Sequence, residues 1–322
     1  MVDVPISPTI EAQLRGASTA KPQLDGYTIY QTDYPPPTFL FDGLLANGLT
    51  ILAGRPKCGK SWLVLQMALD AARKRALFGR YSVVSATRAL YCGLEEGPGR
   101  THNRLTKLVH APDIQLANIE FRYELKTLAE GGGTELGGLL ANGNFGLVII
   151  DTFMRLVQAN GSRDVMRSEY AEVNQLRELA EKYKTAIVLV HHTRKAGAET
   201  GLDTVAGTTG ITAACDAVWT LRKQASGDSI LDVTGREMEE QTLALRLETE
   251  NEFGWRLLAE GAEVGMSEQR AEILELLKDE GPMEPSRIAA ALRKNAVTVR
   301  RLLQKMLADG VVSKDGKKYR GS

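Results

Sequence analysis

The sequence lacks long hydrophobic runs and any cysteine pattern. No apolar stretch approaches the roughly 20 residues that a bilayer-spanning helix needs. The first residues, MVDVPISPTIEAQ, have neither the basic start nor the apolar core of a signal peptide. Cys58, Cys92 and Cys215 lie far apart and form no C-x-x-C pair or metal-ligand spacing. We therefore expect a protein without a membrane segment, located in a reducing cytoplasm.

The sequence also lacks a net charge, because 40 basic residues balance 40 acidic ones. The total therefore does not indicate a nucleic-acid partner, but the distribution of charge is uneven. From Pro285 onward, basic residues are opposed by only Asp309 and Asp315. These basic residues are Arg287, Arg293, Lys294, Arg300, Arg301, Lys305, Lys314, Lys317, Lys318 and Arg320. A length of 322 residues suits one large domain and a small, basic C-terminal one.

A phosphate-binding loop is the strongest motif in the chain. An apolar run, residues 49–53, enters GRPKCGKS, and an amphipathic helix follows, which is the strand–loop–helix context that G-x-x-x-x-G-K-[ST] requires. Glycines let the backbone N–H groups form an anion nest, the lysine reaches the β- and γ-phosphates, and the serine hydroxyl binds Mg²⁺. A chance glycine loop is the alternative. The predicted nucleotide-binding residues are Gly54, Arg55, Pro56, Lys57, Cys58, Gly59, Lys60, Ser61 and Trp62.

The pattern of apolar runs predicts an α/β fold with a parallel sheet covered on both faces. Runs without alternation at residues 89–94, 147–151 and 186–190 are separated by helical segments. Later runs, from residue 217 to 258, alternate and lie close together, which predicts an antiparallel extension of the sheet. We expect a Pro-containing N-terminal arm at residues 1–34 and an ATPase-type domain at residues 35–260.

The C-terminal residues predict a separate small domain. A Gly-containing hinge is expected at residues 259–267, followed by a helix at 268–279, a second helix from Pro285 and a third from Asn295. Two short strands around Asp315-Gly316 complete the pattern. Three helices and a hairpin predict a winged helix-turn-helix at residues 267–322.

Acidic side chains at two strand ends are candidates for catalysis. Asp151 ends an aliphatic strand at the edge where such sheets bind ligands, so it is the predicted Mg²⁺-positioning acid, with a helix cap as the alternative. Glu95 follows the strand at 89–94, which we expect to neighbour the phosphate-loop strand. There Glu95 would orient the water that attacks the γ-phosphate, with Glu96 as the competitor.

Two adjacent histidines end the next strand. Because neighbours on a strand point to opposite faces, only one of His191 and His192 can face the phosphates. No cysteine or acid lies nearby in sequence to complete a metal site. A neutral histidine that senses the γ-phosphate is therefore the expected role.

The order of four segments, GRPKCGKS, YCGLEE, LVIIDT and LVHHTRK, resembles that of the RecA-like ATPase superfamily, in its branch of hexameric replicative helicases and plasmid RepA-type proteins. The resemblance spans about residues 35–260. It implies a homo-hexameric ring that hydrolyses ATP with Mg²⁺ at subunit interfaces, with Glu95 as the catalytic glutamate. The phosphate sensor, often glutamine in that family, falls on His192, a replacement that resembles the RepA-like branch more than the DnaB-like one.

The same resemblance implies a basic finger supplied by the neighbouring subunit. Arg236 is the best match, and Arg222 and Lys223 are the runners-up. It further implies that the loops at residues 155–167 and 193–210 grip single-stranded DNA at the centre of the ring. The basic residues of these loops are Arg155, Arg163, Arg167, Arg194 and Lys195. They are not interleaved with aromatic residues, so backbone contacts would dominate.

The C-terminal module is expected to bind duplex DNA, with a protein-docking role as the alternative. Its predicted contacts are Thr298, Arg301 and Lys305 on the third helix and Lys317 in the wing. We therefore expect a DNA-dependent ATPase of the RepA or replicative helicase type, acting in replication of a plasmid, phage or mobile element. The alternatives are an ATP-controlled DNA-bound regulator and a RecA- or RadA-like recombination mediator.

Overall fold

The computed structural model describes residues 23–84, 87–109, 111, 113–157, 165–193, 209–224, 227–250, 252–308 and 310–321. The chain divides into two compact units, Met1–Pro37 and Thr38–Ser322. In the first unit, helix α1 (Gly26–Gln31) begins where the Asp25 carboxylate accepts a hydrogen bond from the Thr28 backbone N–H at 2.9 Å. This helix lies within the arm that was expected to have no sustained periodicity.

The second unit contains the remaining elements. Its helices are α2 (Lys60–Arg73), α3 (Pro98–Leu108), α4 (Gly132–Gly143), α5 (Val165–Tyr183), α6 (Thr209–Ala214), α7 (Ala262–Glu280), α8 (Pro285–Ala291) and α9 (Ala296–Ala308). Its strands are β1 (Phe39–Phe41), β2 (Leu45–Ala46), β3 (Gly48–Gly54), β4 (Arg88–Gly93), β5 (Ile119–Arg122), β6 (Phe145–Asp151), β7 (Ala186–His192), β8 (Ala217–Lys223), β9 (Ser229–Gly235), β10 (Met238–Glu248), β11 (Gly254–Glu260), β12 (Val312–Asp315) and β13 (Lys318–Gly321). None of the helices within the described part of the chain combines the length and apolar character that a membrane crossing needs.

One large sheet organises this unit. Within the described residues its strands follow the order β11-β10-β9-β8-β3-β7-β6-β4-β5. The strands from β8 to β5 in this order are parallel, while β9, β10 and β11 are antiparallel to their neighbours. The predicted α/β fold with an antiparallel extension is therefore confirmed. The extension begins one strand later than expected, because β8 pairs in parallel with β3.

Both faces of the sheet are buried, which explains the unbroken apolar runs. In β6, Ile149 packs into the core on the α2 side, and its neighbour Ile150 packs into the core under α4 and α5. Both side chains have no exposed surface. Successive residues of a strand point to opposite faces, so a strand covered on both sides needs an apolar residue at every position.

The predicted neighbour of the phosphate-loop strand is wrong. β3 pairs with β7 and β8, and β4 is separated from it by β7 and β6. Sequence order does not determine strand order, because each parallel strand is joined to the next through a helix that can cross over several strands. Glu95 therefore approaches the phosphate loop from two strands farther away than expected.

The predicted hinge is also wrong. β11 runs to Glu260, and α7 starts at Ala262, so the proposed boundary at residue 267 falls inside a helix. Val264 is only 2% exposed and packs against Ile230 and Ala244 of the sheet. This burial outweighs the cost of about 1 kcal/mol for a glycine such as Gly265 inside a helix.

The C-terminal module, residues 262–321, has its own apolar core. Side chains from α7, α8, α9 and the β12–β13 hairpin meet there, among them Ile273, Ile288, Leu303 and Tyr319. Asn295 caps α9 by accepting a hydrogen bond from the Val297 backbone N–H at 2.9 Å. These are the three helices and the hairpin that the sequence predicted; their identification as a winged helix-turn-helix stays a prediction.

Candidate nucleotide-binding site

The phosphate-binding loop joins the end of β3 to the start of α2. Gly59 precedes the helix with a φ of 100°, in the left-handed region that favours glycine. A Cβ on Gly54 would lie 2.6 Å from the carbonyl oxygen of Leu221, and one on Gly59 would lie 2.5 Å from the Trp255 ring. Side chains would not fit at either position. The two glycines of the motif are therefore required by close contacts as well as by backbone conformation.

Lys60 is folded into this loop. Its ammonium group donates to the carbonyl oxygens of Gly54 at 2.7 Å and Arg55 at 2.9 Å, and it lies 3.2 Å from Nδ1 of His192. Burial lowers the pKa of Lys60, and the charges of Asp151 and Glu95 oppose that shift. The carbonyl contacts keep a nearly fully buried cation solvated by the protein, at the place where phosphate oxygens would replace them.

Asp151 ends β6 at the same edge of the sheet. It is 7% exposed, and its Oδ2 accepts a hydrogen bond from the Tyr91 hydroxyl at 2.9 Å. Burial raises the pKa of Tyr91, and the nearby carboxylate raises it further, so this hydroxyl stays a donor. Tyr91 was not predicted from the sequence. It fixes one carboxylate oxygen of Asp151 and leaves the other for a different partner.

The two adjacent glutamates after β4 have different partners. Glu96 is held by both guanidinium nitrogens of Arg104, at 2.5 and 2.6 Å, and lies 3.9 Å from Arg100. Glu95 has a side chain that is 43% exposed, and its carboxylate lies 3.8 Å from Nε2 of His192. Both line the same cavity, but Glu96 is occupied by Arg104 while Glu95 is accessible.

The two histidines of β7 also separate. His191 is 4% exposed and packs beside Phe153, with ring centroids 6.4 Å apart. Burial lowers the pKa of His191 to about 4, and the neighbouring charges of His192 and Lys60 act in the same direction. His192 instead lies between Lys60 and Glu95. Burial also lowers the pKa of His192, so both rings are neutral at pH 7.

A cavity of about 710 Å³ connects these groups. Of the residues predicted to bind nucleotide, Pro56 through Trp62 line it, together with Glu95, Glu96 and His192. The antiparallel part of the sheet supplies lining residues that no motif indicated. These are Lys223, Ser229, Leu247, Thr249 and Trp255, and helix α3 adds Arg100 and Arg104. Only the strand register brings them to this edge, so sequence patterns could not have identified them.

The three basic finger candidates lie in different places. Lys223 lines the cavity of its own chain, and Nε of Arg222 donates to Asp232 at 2.9 Å. Arg236 follows β9 at the opposite edge of the sheet, where its guanidinium donates to the Ala213 carbonyl at 3.2 Å and lies 3.7 Å from Asp216. At about 3.3 Å per residue, the strand segment from Ala217 to Leu221 separates that edge from the phosphate loop by roughly 13 Å.

The predicted single-strand contacts are only partly described. Arg155 is exposed at the end of a short 3₁₀ helix that follows Asp151. Arg167 belongs to α5 rather than to the loop, because that helix begins at Val165. Arg163, Arg194 and Lys195 lie outside the described residues. On the C-terminal module, Thr298, Arg301, Lys305 and Lys317 are all exposed.

The donor set fits a magnesium ion that is held jointly with phosphates. Within the described residues, no three His, Cys, Asp or Glu side chains gather into a metal site. Mg²⁺ in nucleotide sites takes one or two protein oxygens and completes its shell with phosphates and water. The Ser61 hydroxyl and the unpaired oxygen of Asp151 supply that number.

Comparison with known proteins agrees with this geometry. The AAA_25 family model, described as an AAA domain, matches residues 23–198. The structure is similar to a solved helicase ATPase domain, with a TM-score of 0.55, 11% identity, and coverage of 79% of this chain and 100% of that one.

A KaiC-like protein from the hyperthermophilic archaeon Pyrococcus horikoshii OT3 matches with a TM-score of 0.47, 12% identity, and coverage of 70% of this chain and 96% of that one. No curated protein matches the sequence. The family match covers more than half of the 322 residues. The chain therefore belongs to the AAA_25 family of AAA domains, and its core has the RecA-like P-loop ATPase fold.

Proposed function

We propose that this ATPase is a DNA-dependent enzyme of the RepA and replicative helicase type. It assembles as a homo-hexameric ring and acts on single-stranded DNA in replication of a plasmid, phage or mobile element. The observation that carries the proposal is the convergence of Lys60, Glu95 and His192 in one cavity at the end of the phosphate loop.

In this proposal Glu95 positions and polarises the attacking water. The bidentate ion pair between Glu96 and Arg104 supports this choice, since a carboxylate already held by a guanidinium is a poor proton acceptor. His192, neutral at pH 7, reports on the γ-phosphate through hydrogen bonds to it and to Lys60. Ser61 and Asp151 hold Mg²⁺, which neutralises developing charge on the phosphate oxygens.

Arg236 acts on the cavity of a neighbouring subunit. Its position at the far edge of the sheet supports action in trans, because its side chain cannot span the strand length to its own phosphate loop. Asp216 and the Ala213 carbonyl hold the guanidinium in place. Lys223, which lines its own cavity, is then a cation acting in cis.

DNA contacts are assigned to two surfaces. Arg155, Arg163, Arg167, Arg194 and Lys195 contact single-stranded DNA through its phosphates. The exposed cations of α9 and the hairpin contact duplex DNA as a winged helix-turn-helix. The second candidate function, an ATP-controlled regulator bound to duplex DNA, is favoured by the accessible side chains of Arg301 and Lys305 on one helix.

ATPase turnover with and without single-stranded DNA, measured alongside the mass of the assembly, tests this proposal. Stimulation by single strands and a hexameric mass are expected. Tight duplex binding with slow, unstimulated hydrolysis would support the regulator instead. Filaments in place of rings would favour the recombination mediator.

A further inference from the structure

Trp255 contacts the phosphate-binding loop from an unexpected direction. It lies on β11, at the edge of the described sheet, and is 2% exposed. Its indole ring packs against the backbone of Gly59, where a Cβ would lie 2.5 Å from Cζ2 and 3.3 Å from Cη2. Gly59 is the residue at which the loop turns into α2. The ring therefore covers the loop at the turn that aims its N–H groups.

Gln66 holds Trp255 in this position. From the second turn of α2, its side-chain Oε1 accepts from the Trp255 backbone N–H at 2.6 Å, and its Nε2 donates to the Trp255 carbonyl at 3.1 Å. Because β11 is the edge strand, the amide of Gln66 takes the place of a missing neighbouring strand. A hydrogen bond between Gln66 and Asp70 lies one turn farther along the helix. Helix, amide, strand and ring thus form one continuous set of contacts.

We propose that Trp255 is a positioning residue for the phosphate-binding loop, and that Gln66 fixes it there. The inference rests on the proposed function only in that the loop binds ATP. A loop of this kind binds phosphate well when its N–H groups are ordered before the ligand arrives. Glycine gives the loop its shape but also leaves it free to move in the absence of packing. The indole on Gly59 removes that freedom.

Trp219 provides a matched control. Like Trp255, it is a buried indole on the α2 side of the sheet, and the Nε1 of each lacks a hydrogen-bond partner within the described residues. Trp219 lies on β8, is fully buried, and is not one of the described residues that line the nucleotide cavity. Trp219→Phe and Trp255→Phe therefore make the same chemical change, but only the second is next to the loop.

The experiment measures equilibrium ATP affinity together with KM and kcat for the full chain and four variants. Trp255→Ala should weaken ATP binding on the order of tenfold and raise KM to match, with kcat within about threefold of wild type, because the loop must now be ordered on binding. Trp255→Phe should recover most of that loss, to within about threefold of wild type, since a ring remains over Gly59. Gln66→Leu should fall between the two. Trp219→Phe should leave affinity within about twofold while lowering the melting temperature.

Several results would overturn the inference. One is a folded Trp255→Ala protein with wild-type affinity; another is an equal loss of affinity in Trp219→Phe. If Trp255→Ala fails to fold, unchanged affinity in both Trp255→Phe and Gln66→Leu overturns it. A wild-type protein that binds ATP without hydrolysing it contradicts the proposed function, yet the affinity comparison still decides the role of Trp255. A wild-type protein that does not bind ATP overturns both.

Discussion

The phosphate edge of the sheet and the C-terminal module handle charge in opposite ways. At the phosphate edge, Lys60 and Asp151 are 3% and 7% exposed, and each has partners that hold it. In the module, the core is apolar apart from the Tyr319 hydroxyl, and Arg301 and Lys305 are exposed. Buried charges are costly and must be matched atom by atom, whereas exposed charges act through a screened field.

This difference leads to two kinds of expected effect. Substitutions at the phosphate edge should change turnover by orders of magnitude and depend little on salt. Substitutions on the module should change DNA binding in small steps that depend strongly on salt. The predictions that follow sharpen this contrast or break it.

Lys60→Ala should have the largest effect and abolish measurable turnover. The phosphates lose their positioned cation, and the Gly54 and Arg55 carbonyls lose their donor. Hydrolysis and ATP binding are measured together, with Lys182→Ala on α5 as a control for loss of a lysine elsewhere. Turnover within tenfold of wild type in Lys60→Ala would contradict the assignment of the phosphate loop.

Arg236→Ala should lower kcat by about 10³-fold while ATP affinity is retained, since a finger in trans acts mainly on the transition state. Mixing this variant with Glu95→Gln should recover part of the activity, because some interfaces would contain both intact groups. The measurement is turnover across mixing ratios, after subunit exchange has been demonstrated. Absence of recovery would place Arg236 in a structural role with Asp216.

Glu95→Gln should keep ATP binding and lower kcat by about 10²–10³-fold, because the amide cannot accept a proton from water. Glu96→Gln is the matched control, and it should change kcat by less than about tenfold, since Glu96 is already paired with Arg104. Steady-state kinetics at saturating ATP distinguish the two. The reverse order would move the catalytic assignment by one residue.

Arg301→Ala and Lys305→Ala should each weaken duplex DNA binding severalfold and reduce the salt slope by about one. Basal ATPase activity should stay unchanged, as it should in Gln304→Ala, an exposed neutral control on the same helix. Point substitutions are preferable to a truncation after Glu260, because loss of α7 would uncover Ile230 and Ala244. A loss of affinity that does not depend on salt would contradict a phosphate-contacting role.

His191 should make the ATPase core sensitive to acid. Its folded pKa of about 4 is below the unfolded value of 6.5 because burial disfavours the charged ring. The unfolded chain therefore binds a proton that the folded chain does not, and stability is lost as the pH falls from about 6.5 towards 4. His191→Leu should flatten this dependence by on the order of 1–3 kcal/mol in denaturant unfolding curves. The exposed His102, changed to Leu, should leave the curve unaltered.

Sequence patterns predicted the strand ends but not the distances between them. The motif and the aliphatic runs located Lys60, Asp151 and His192, because a parallel sheet brings strand ends to one edge. They could not separate Glu95 from Glu96, since the Arg104 ion pair depends on how α3 folds back over its own start. They also placed β4 beside β3, where the structure has β7.

By itself, the sequence determined the phosphate loop, the two-sided parallel sheet and the basic C-terminal module, because each depends on local spacing and periodicity. Tertiary structure alone decided the strand order, the continuous passage from β11 into α7, and the approach of Trp255 to Gly59. These features join residues almost 200 positions apart through strand register and side-chain packing. No local pattern encodes such contacts, since they arise only when the whole core is buried at once.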